Sequence, residues 1–260
     1  MEETNTRVAV VGAGSMGGAI ALGLARSGQV AARNIWVTNP SMPKLQRLKN
    51  LCPDLQVGPD NREATVGADV VVLAVKPWLV QPVLAELDLR AEQTLVSVAA
   101  GVSFAQLRQW TKAASLFRVI PNTAIAEGES MTLIAADGAS ADEQHRVADW
   151  FGRMGRTALI PENQMGAATA LASCGIAYAL KYVQAAMQAG VEMGLRPQEA
   201  MQMAAQAMKG AAELLLQGQT HPAVEIDKVT TPGGLTIRGL NELEHAGFAS
   251  AVIRAMKASR

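Results

Sequence analysis

Hydrophobic and polar positions follow two regimes along this chain, meeting near Pro161. Before that point, short runs rich in β-branched residues alternate with stretches whose apolar positions recur three or four apart. The runs at 7–11, 34–38, 69–75, 94–98, 116–120, 131–135 and 157–160 predict strands. The periodic stretches at 16–27, 44–51, 80–87, 104–110 and 141–154 predict helices between them. From Val70 to Val75 the chain is apolar without a break, as a strand buried on both faces should be. Strands and helices alternating at this length predict a parallel, doubly wound α/β sheet with right-handed crossovers.

After Pro161 no strand pattern follows, and Ala, Met, Gln and Leu take over. Helices are expected at 163–193, 197–217, 233–245 and 248–259. The first is apolar on nearly every side, so it must be covered all round. A helical domain of this size covers such a helix with difficulty, which predicts a second subunit. Burial at the centre of its own domain is the alternative. Two domains are therefore expected, 1–161 with the sheet and 162–260 all helical.

Composition narrows the partners. The 260 residues are 49% hydrophobic and 18% charged, with 23 basic against 23 acidic side chains. No basic excess or stripe suits a polyanion, so nucleic acid is not expected. Cys52 and Cys174 form neither a disulfide framework nor a zinc-ligand spacing, and no metal site is expected. Residues 1–7 lack the basic flank and apolar run of a signal peptide, and 163–180 is too polar for a membrane span. A soluble, cytoplasmic protein is the expectation.

The clearest motif is Gly12-Ala13-Gly14-Ser15-Met16-Gly17, a G-x-G-x-x-G placed directly after a strand and opening a helix. Gly12 allows the tight turn, Gly14 lets the backbone approach a pyrophosphate, and Gly17 lets the helix pack close to the sheet. The anion then rests on free N–H groups at the helix N-terminus. This predicts a dinucleotide cofactor on a Rossmann-type sheet.

At the end of the second strand an NAD site usually carries Asp or Glu for the ribose 2′-hydroxyl. Here Thr38, Asn39 and Ser41 are neutral and Lys44 is positive, which predicts a preference for NADPH, with NADH less favoured. Two further loops fall at C-terminal strand ends, Ala74-Val75-Lys76-Pro77 and the turn through Pro121 and Asn122. Lys76 is expected to reach the cofactor or a substrate anion, and Asn122 to bond the nicotinamide or its ribose. Simple punctuation of the strands is the alternative.

The second dense motif is Thr230-Thr231-Pro232-Gly233-Gly234-Leu235-Thr236, directly before an amphipathic helix. It makes another N-terminus with free N–H groups, suited to a small carboxylate, with Thr231 as the expected cap and Thr236 a first-turn hydroxyl. An ordinary capped helix is the bland alternative.

Together these motifs resemble the pyrroline-5-carboxylate reductase family over essentially the whole chain. The resemblance rests on the glycine turn, Ala74-Val75-Lys76-Pro77, Arg118-Val119-Ile120-Pro121-Asn122 and above all Asp227 to Thr236. It implies an NAD(P)H-dependent oxidoreductase that reduces the C=N bond of 1-pyrroline-5-carboxylate to L-proline, the last step of proline synthesis. It further implies that Asn61 contacts NADPH, that Gly233, Gly234 and Thr231 hold the substrate carboxylate, and that the Thr236 hydroxyl meets the ring nitrogen. No acid among Asp, Glu and His is required, since a protonated iminium already carries its proton. The resemblance implies homodimers with interlocked helical domains, often assembled into decamers.

Several positions depart from the family pattern. Cys174 and Ile176 stand in Ser173-Cys174-Gly175-Ile176-Ala177-Tyr178 where Gly-Ser-Gly-Pro-Ala-Tyr is usual, and Ile176 in place of proline predicts a straighter helix. Glu225 replaces an apolar residue, and Leu235 is expected to face away from the site. A reductase of a related cyclic imine is one alternative. A β-hydroxyacid dehydrogenase using Lys181 is another, and a non-catalytic NADP(H)-sensing module a third.

Overall fold

The computed structural model describes residues 5–260. Residues 1–4, part of the polar segment read above for a targeting signal, lie outside the described residues. By packing, the chain divides into two compact units, with the break between Ser173 and Cys174.

The first unit is built on one eight-stranded sheet in the order β3-β2-β1-β4-β5-β6-β7-β8. The strands are β1 (Val8–Val11), β2 (Ile35–Thr38), β3 (Gln56–Gly58), β4 (Val70–Leu73), β5 (Thr94–Ser97), β6 (Ser115–Ile120), β7 (Ser130–Asp137) and β8 (Gly155–Leu159). Its helices are α1 (Ser15–Ser27), α2 (Met42–Leu51), α3 (Asn61–Val66), α4 (Val80–Glu86), α5 (Phe104–Trp110), α6 (Ala141–Gly152) and α7 (Met165–Thr169). β1 and β4 are buried along their whole length, because the helices cover both faces of the sheet. One layer packs Ile20, Leu24 and Leu45 with Trp150 and Phe151. The other packs Leu84, Leu107 and Met165 against Leu73 and Leu95.

The sheet is mostly parallel, as the alternation predicted, but β7 runs antiparallel to β6. Only the short turn Thr123–Glu127 connects them, too little chain for a crossover helix. Strand order reverses between β1 and β4, which opens a crevice at their C-terminal ends.

The second unit is all helical: α8 (Gly175–Glu192), α9 (Pro197–Gly218), α10 (Pro222–Val229), α11 (Leu235–His245) and α12 (Phe248–Ala258). α8 and α9 fold back as a hairpin and pack tightly at Gly190, where a Cβ would lie 2.8 Å from that of Ala200. Those two are the only buried residues of the unit, while Leu235 is 84% and Met193 77% exposed. A unit this poor in buried side chains leaves its apolar surface for another chain to cover.

A π-helical turn, Ala170–Cys174, separates α7 from α8. The straight run expected from Ile176 is therefore not what forms. The irregularity persists without proline, because one extra residue per turn breaks the α-helical register just ahead of that position.

Candidate active site

The crevice is built from the loops after β1, β2 and β4, which backbone bonds tie together. The Gly12 N–H donates to the Thr38 carbonyl at 2.9 Å, and the Ala74 N–H to the Val11 carbonyl at 2.8 Å. Gly12 has φ +109°, and a Cβ there would meet the Ala74 carbonyl oxygen at 2.5 Å. A Cβ on Gly17 would lie 1.9 Å from the Gly12 oxygen, so the first turn of α1 rests directly on the loop. At Gly14 a Cβ would meet no heavy atom within 4 Å. The loop is closed against the sheet on two glycines and open on the third.

α1 begins with Gly14 as its N-cap, without a capping side chain and without an acid in its first turn. The first N–H groups of a helix have no intrahelical acceptor. Here they face an open glycine and carry the positive end of the helix dipole, which suits a pyrophosphate. Ala13 is buried, and Ser15 stands exposed at the rim. Met16 packs against the core beneath the helix.

β2 leads into a second uncapped N-terminus. Asn39 Oδ1 accepts the Ser41 N–H at 2.9 Å, and Ser41 caps α2 through its backbone alone. Lys44 is exposed on the first turn, which contains no acid. Thr38, grouped in sequence with these neutral residues, turns inward instead: it is fully buried and donates its hydroxyl to Asn61 Oδ1 at 2.6 Å. Asp60 caps α3 by accepting the Arg62 and Glu63 N–H groups, which fixes Asn61 in its first turn. Neither Thr38's orientation nor the Asp60 cap entered the sequence reading, although strand alternation places Thr38 on the same face as Trp36. The donors and the missing carboxylate fit a phosphorylated dinucleotide.

Ala74 and Val75 carry the chain out of β4, and Lys76, Pro77 and Trp78 are all exposed beyond it. Asn122 behaves otherwise. It is 5% exposed, its Oδ1 accepts the Ala124 N–H at 3.0 Å, and its Nδ2 donates to the Ala172 carbonyl at 3.0 Å. Its side chain thus joins two segments of the first unit. Glu162 accepts from the Arg118 guanidinium and from the Phe104 N–H, each at 2.7 Å.

In the second unit, Thr231-Pro232-Gly233-Gly234 forms a turn in which the Gly234 N–H donates to the Thr231 carbonyl at 2.9 Å. Proline second and Gly233 third with φ +71° make it the type II arrangement. The Gly234 N–H assigned above to a carboxylate is spent within this turn, so the Gly233 N–H and the start of α11 remain. The N-cap of α11 is Gly234, not Thr231, and no side chain caps it. Thr231 and Thr236 are exposed on this unit, and Leu235 projects into solvent. Lys181 donates to Gln184 at 3.0 Å on the exposed face of α8.

A groove of about 620 Å³ between α6 and β8, lined in part by His145, Asp149 and Thr157, lies at the opposite edge of the sheet from these loops. Among the described residues no three His, Cys, Asp or Glu side chains converge as a metal site would require. No helix among them is long and apolar enough to cross a membrane.

A family model described as pyrroline-5-carboxylate reductase dimerisation matches residues 162–260, and one described as NADP oxidoreductase coenzyme F420-dependent matches residues 7–101. The chain is 36% identical to pyrroline-5-carboxylate reductase of Synechocystis sp., over 97% of this chain and 95% of that protein. The chain belongs to the pyrroline-5-carboxylate reductase family. Pyrroline-5-carboxylate reductase 1 of Dictyostelium discoideum is also 36% identical over 97% of this chain, but the match spans only 48% of that longer protein. Among solved structures, the Plasmodium falciparum pyrroline carboxylate reductase with NADP bound superposes with a TM-score of 0.89 at 26% identity, covering 99% of this chain and 96% of that one. The dimerisation match falls on the helical unit with its exposed apolar residues, and marks the protein as a homo-oligomer.

Proposed function

We propose that this chain reduces the C=N bond of 1-pyrroline-5-carboxylate to give L-proline, using NADPH in preference to NADH. The observation that carries the reading is the Thr231 to Gly234 turn opening an uncapped α11, which an ordinary dinucleotide-binding protein has no use for. The family's name and near-complete coverage support it.

In this reading residues 1–161 bind the cofactor, and 162–260 bind substrate and form the dimer. Gly12 to Gly17 hold the pyrophosphate, with Asn39, Ser41 and Asn61 at the ribose and Ala74 to Pro77 along the nicotinamide side. Asn122 supports that side through its loop. The cofactor, when bound, supplies a hydride from its nicotinamide ring. The carboxylate of the imine rests on the Gly233 N–H, the first N–H groups of α11 and the Thr231 hydroxyl. The Thr236 hydroxyl meets the ring nitrogen and orients it. As hydride adds to carbon, the C=N π pair becomes the nitrogen lone pair, neutralising a protonated iminium without any transfer from Asp, Glu or His. Rate then comes from positioning and from the field of two helix termini. The assembly is a homodimer or a decamer built from five such dimers, and the protein is cytoplasmic.

Oxidation of NADPH with 1-pyrroline-5-carboxylate, followed by absorbance and by detection of proline, tests this directly. Turnover with proline as product is expected. NADPH binding without any proline would overturn it and redirect the search to other cyclic imines.

A further inference from the structure

The Thr38–Asn61 pair lies behind the crevice and decides what the crevice presents. Thr38 closes β2, where its carbonyl accepts the Gly12 N–H at 2.9 Å and its hydroxyl donates to Asn61 Oδ1 at 2.6 Å. Thr38 is 0% exposed, so water does not compete for that hydroxyl. A buried hydroxyl hydrogen without an acceptor is costly. Turning the Asn61 amide over would leave the Thr38 hydrogen facing an NH2 group, so the amide is locked with Oδ1 inward. Its NH2 group, with no protein acceptor among the described residues, is the face left for a ligand.

Asn39 shows the same orientation independently. Its Oδ1 accepts the Ser41 N–H at 2.9 Å, which again leaves an NH2 group outward. Two amides on neighbouring loops therefore keep their oxygens within the protein and offer their hydrogens. Lys44 adds a cation, and no carboxylate follows β2.

A phosphate monoester and a sugar hydroxyl differ on this surface. The phosphate oxygens only accept, and every donor suits them. A 2′-hydroxyl must also place its own hydrogen, which is why an NAD site supplies Asp or Glu. An unlocked Asn61 would turn its oxygen outward and take that hydrogen.

We propose that Thr38 is a positioning residue that locks the Asn61 amide with its NH2 group outward, and so selects a ribose bearing a 2′-phosphate over one bearing a 2′-hydroxyl. The inference rests on the cofactor reading above and is independent of which imine is reduced.

The test is equilibrium titration of the full-length protein with NADPH and with NADH, followed by quenching of tryptophan fluorescence, alongside kcat and KM. In Thr38→Val the ratio of the two dissociation constants should fall roughly fivefold towards NADH, the worth of about one hydrogen bond. kcat at saturating NADPH should hold, and Thr38→Ser should restore the ratio. Equal weakening of both cofactors would reduce Thr38 to a structural role and overturn the inference, as would a wild-type protein that binds both equally. Should Thr38→Val not fold, Asn61→Asp carries the test. It keeps an acceptor for Thr38 and turns a second carboxylate oxygen outward, so preference should move to NADH, and an unchanged ratio would refute the lock. Binding needs no turnover, so absence of proline formation would remove the imine reading while leaving these titrations decisive.

Discussion

Asn122 Nδ2 donates to the Ala172 carbonyl at 3.0 Å, inside the π-helical turn Ala170–Cys174. In a regular helix that carbonyl would take the N–H of residue 176. Proline at 176, usual in the family, has no N–H to give and crowds the same carbonyl. This chain carries Ile176, yet keeps both the irregular turn and a separate donor for Ala172.

Ile176→Pro should therefore be far milder than a helix-interior proline, which costs about 3 kcal/mol. A loss of about 1 kcal/mol is expected, by denaturant unfolding. In an Asn122→Ala background the same substitution should cost distinctly more, because Ala172 then loses both donors. Additive losses would show that Asn122 does not stand in for the missing N–H.

The three glycines of the first loop separate folding from binding. Gly14 has φ −71° and open space around it, so alanine fits the fold there. Gly14→Ala should change stability by less than about 0.5 kcal/mol, as for an ordinary surface substitution. NADPH affinity should nonetheless fall roughly tenfold or more, since the methyl occupies the approach to the pyrophosphate. Gly17→Ala should instead fail at folding, its Cβ being 1.9 Å from the Gly12 oxygen. Thermal unfolding and NADPH titration of both variants distinguish the two effects.

These contrasts mark what could be read from the sequence. The buried strand from Val70 and the glycine turn each combine a local pattern with a chemical need, and both are legible. In the Thr231 to Thr236 segment the start of a helix is legible, but not which residue caps it. β3, α3 and α10 are not legible. β3 has three residues and an exposed edge, while α3 and α10 are too short for a periodic face to emerge. The direction of β7 was available in the short connection after Ile120, since parallel crossovers need a dozen or more residues. Thr38 and Asn122 defeat residue-type reasoning altogether. Both carry ligand-like side chains at ligand-facing ends of strands, and both spend them on other protein atoms, a choice set by packing from residues far along the chain.

Thr236 stands exposed at the start of α11 without an acceptor of its own among the described residues, so its removal should leave the structure intact. Thr236→Val is expected to lower kcat/KM for 1-pyrroline-5-carboxylate by roughly tenfold to a hundredfold, the range for a lost hydrogen bond to a charged group. NADPH affinity should stay within about twofold, because the glycine turn is untouched. Steady-state kinetics with both substrates varied, together with NADPH titration, test this. An unchanged kcat/KM would remove Thr236 from the reaction.

Glu143 ties α6 to the sheet and makes the fold sensitive to acid. Burial alone would push its carboxyl up, but hydrogen bonds from Ser115, Ser140 and Thr94 outweigh it and bring the pKa down from 4.5 to about 2. Thr94 reaches Oε1 at 3.0 Å, and the Ser140 N–H and hydroxyl reach Oε2 at 2.8 Å. A carboxylate with a folded pKa below its unfolded one contributes stability that is complete above the unfolded value and lost on acidification. The native protein should thus exceed Glu143→Gln in unfolding free energy by a constant margin from neutral pH down to about 5. That margin should shrink between pH 4.5 and about 2, as the group takes up its proton. Urea unfolding of both proteins across this range measures it directly. A margin that does not change with pH would mean that packing at residue 143, and not the charge on Glu143, holds α6 in place.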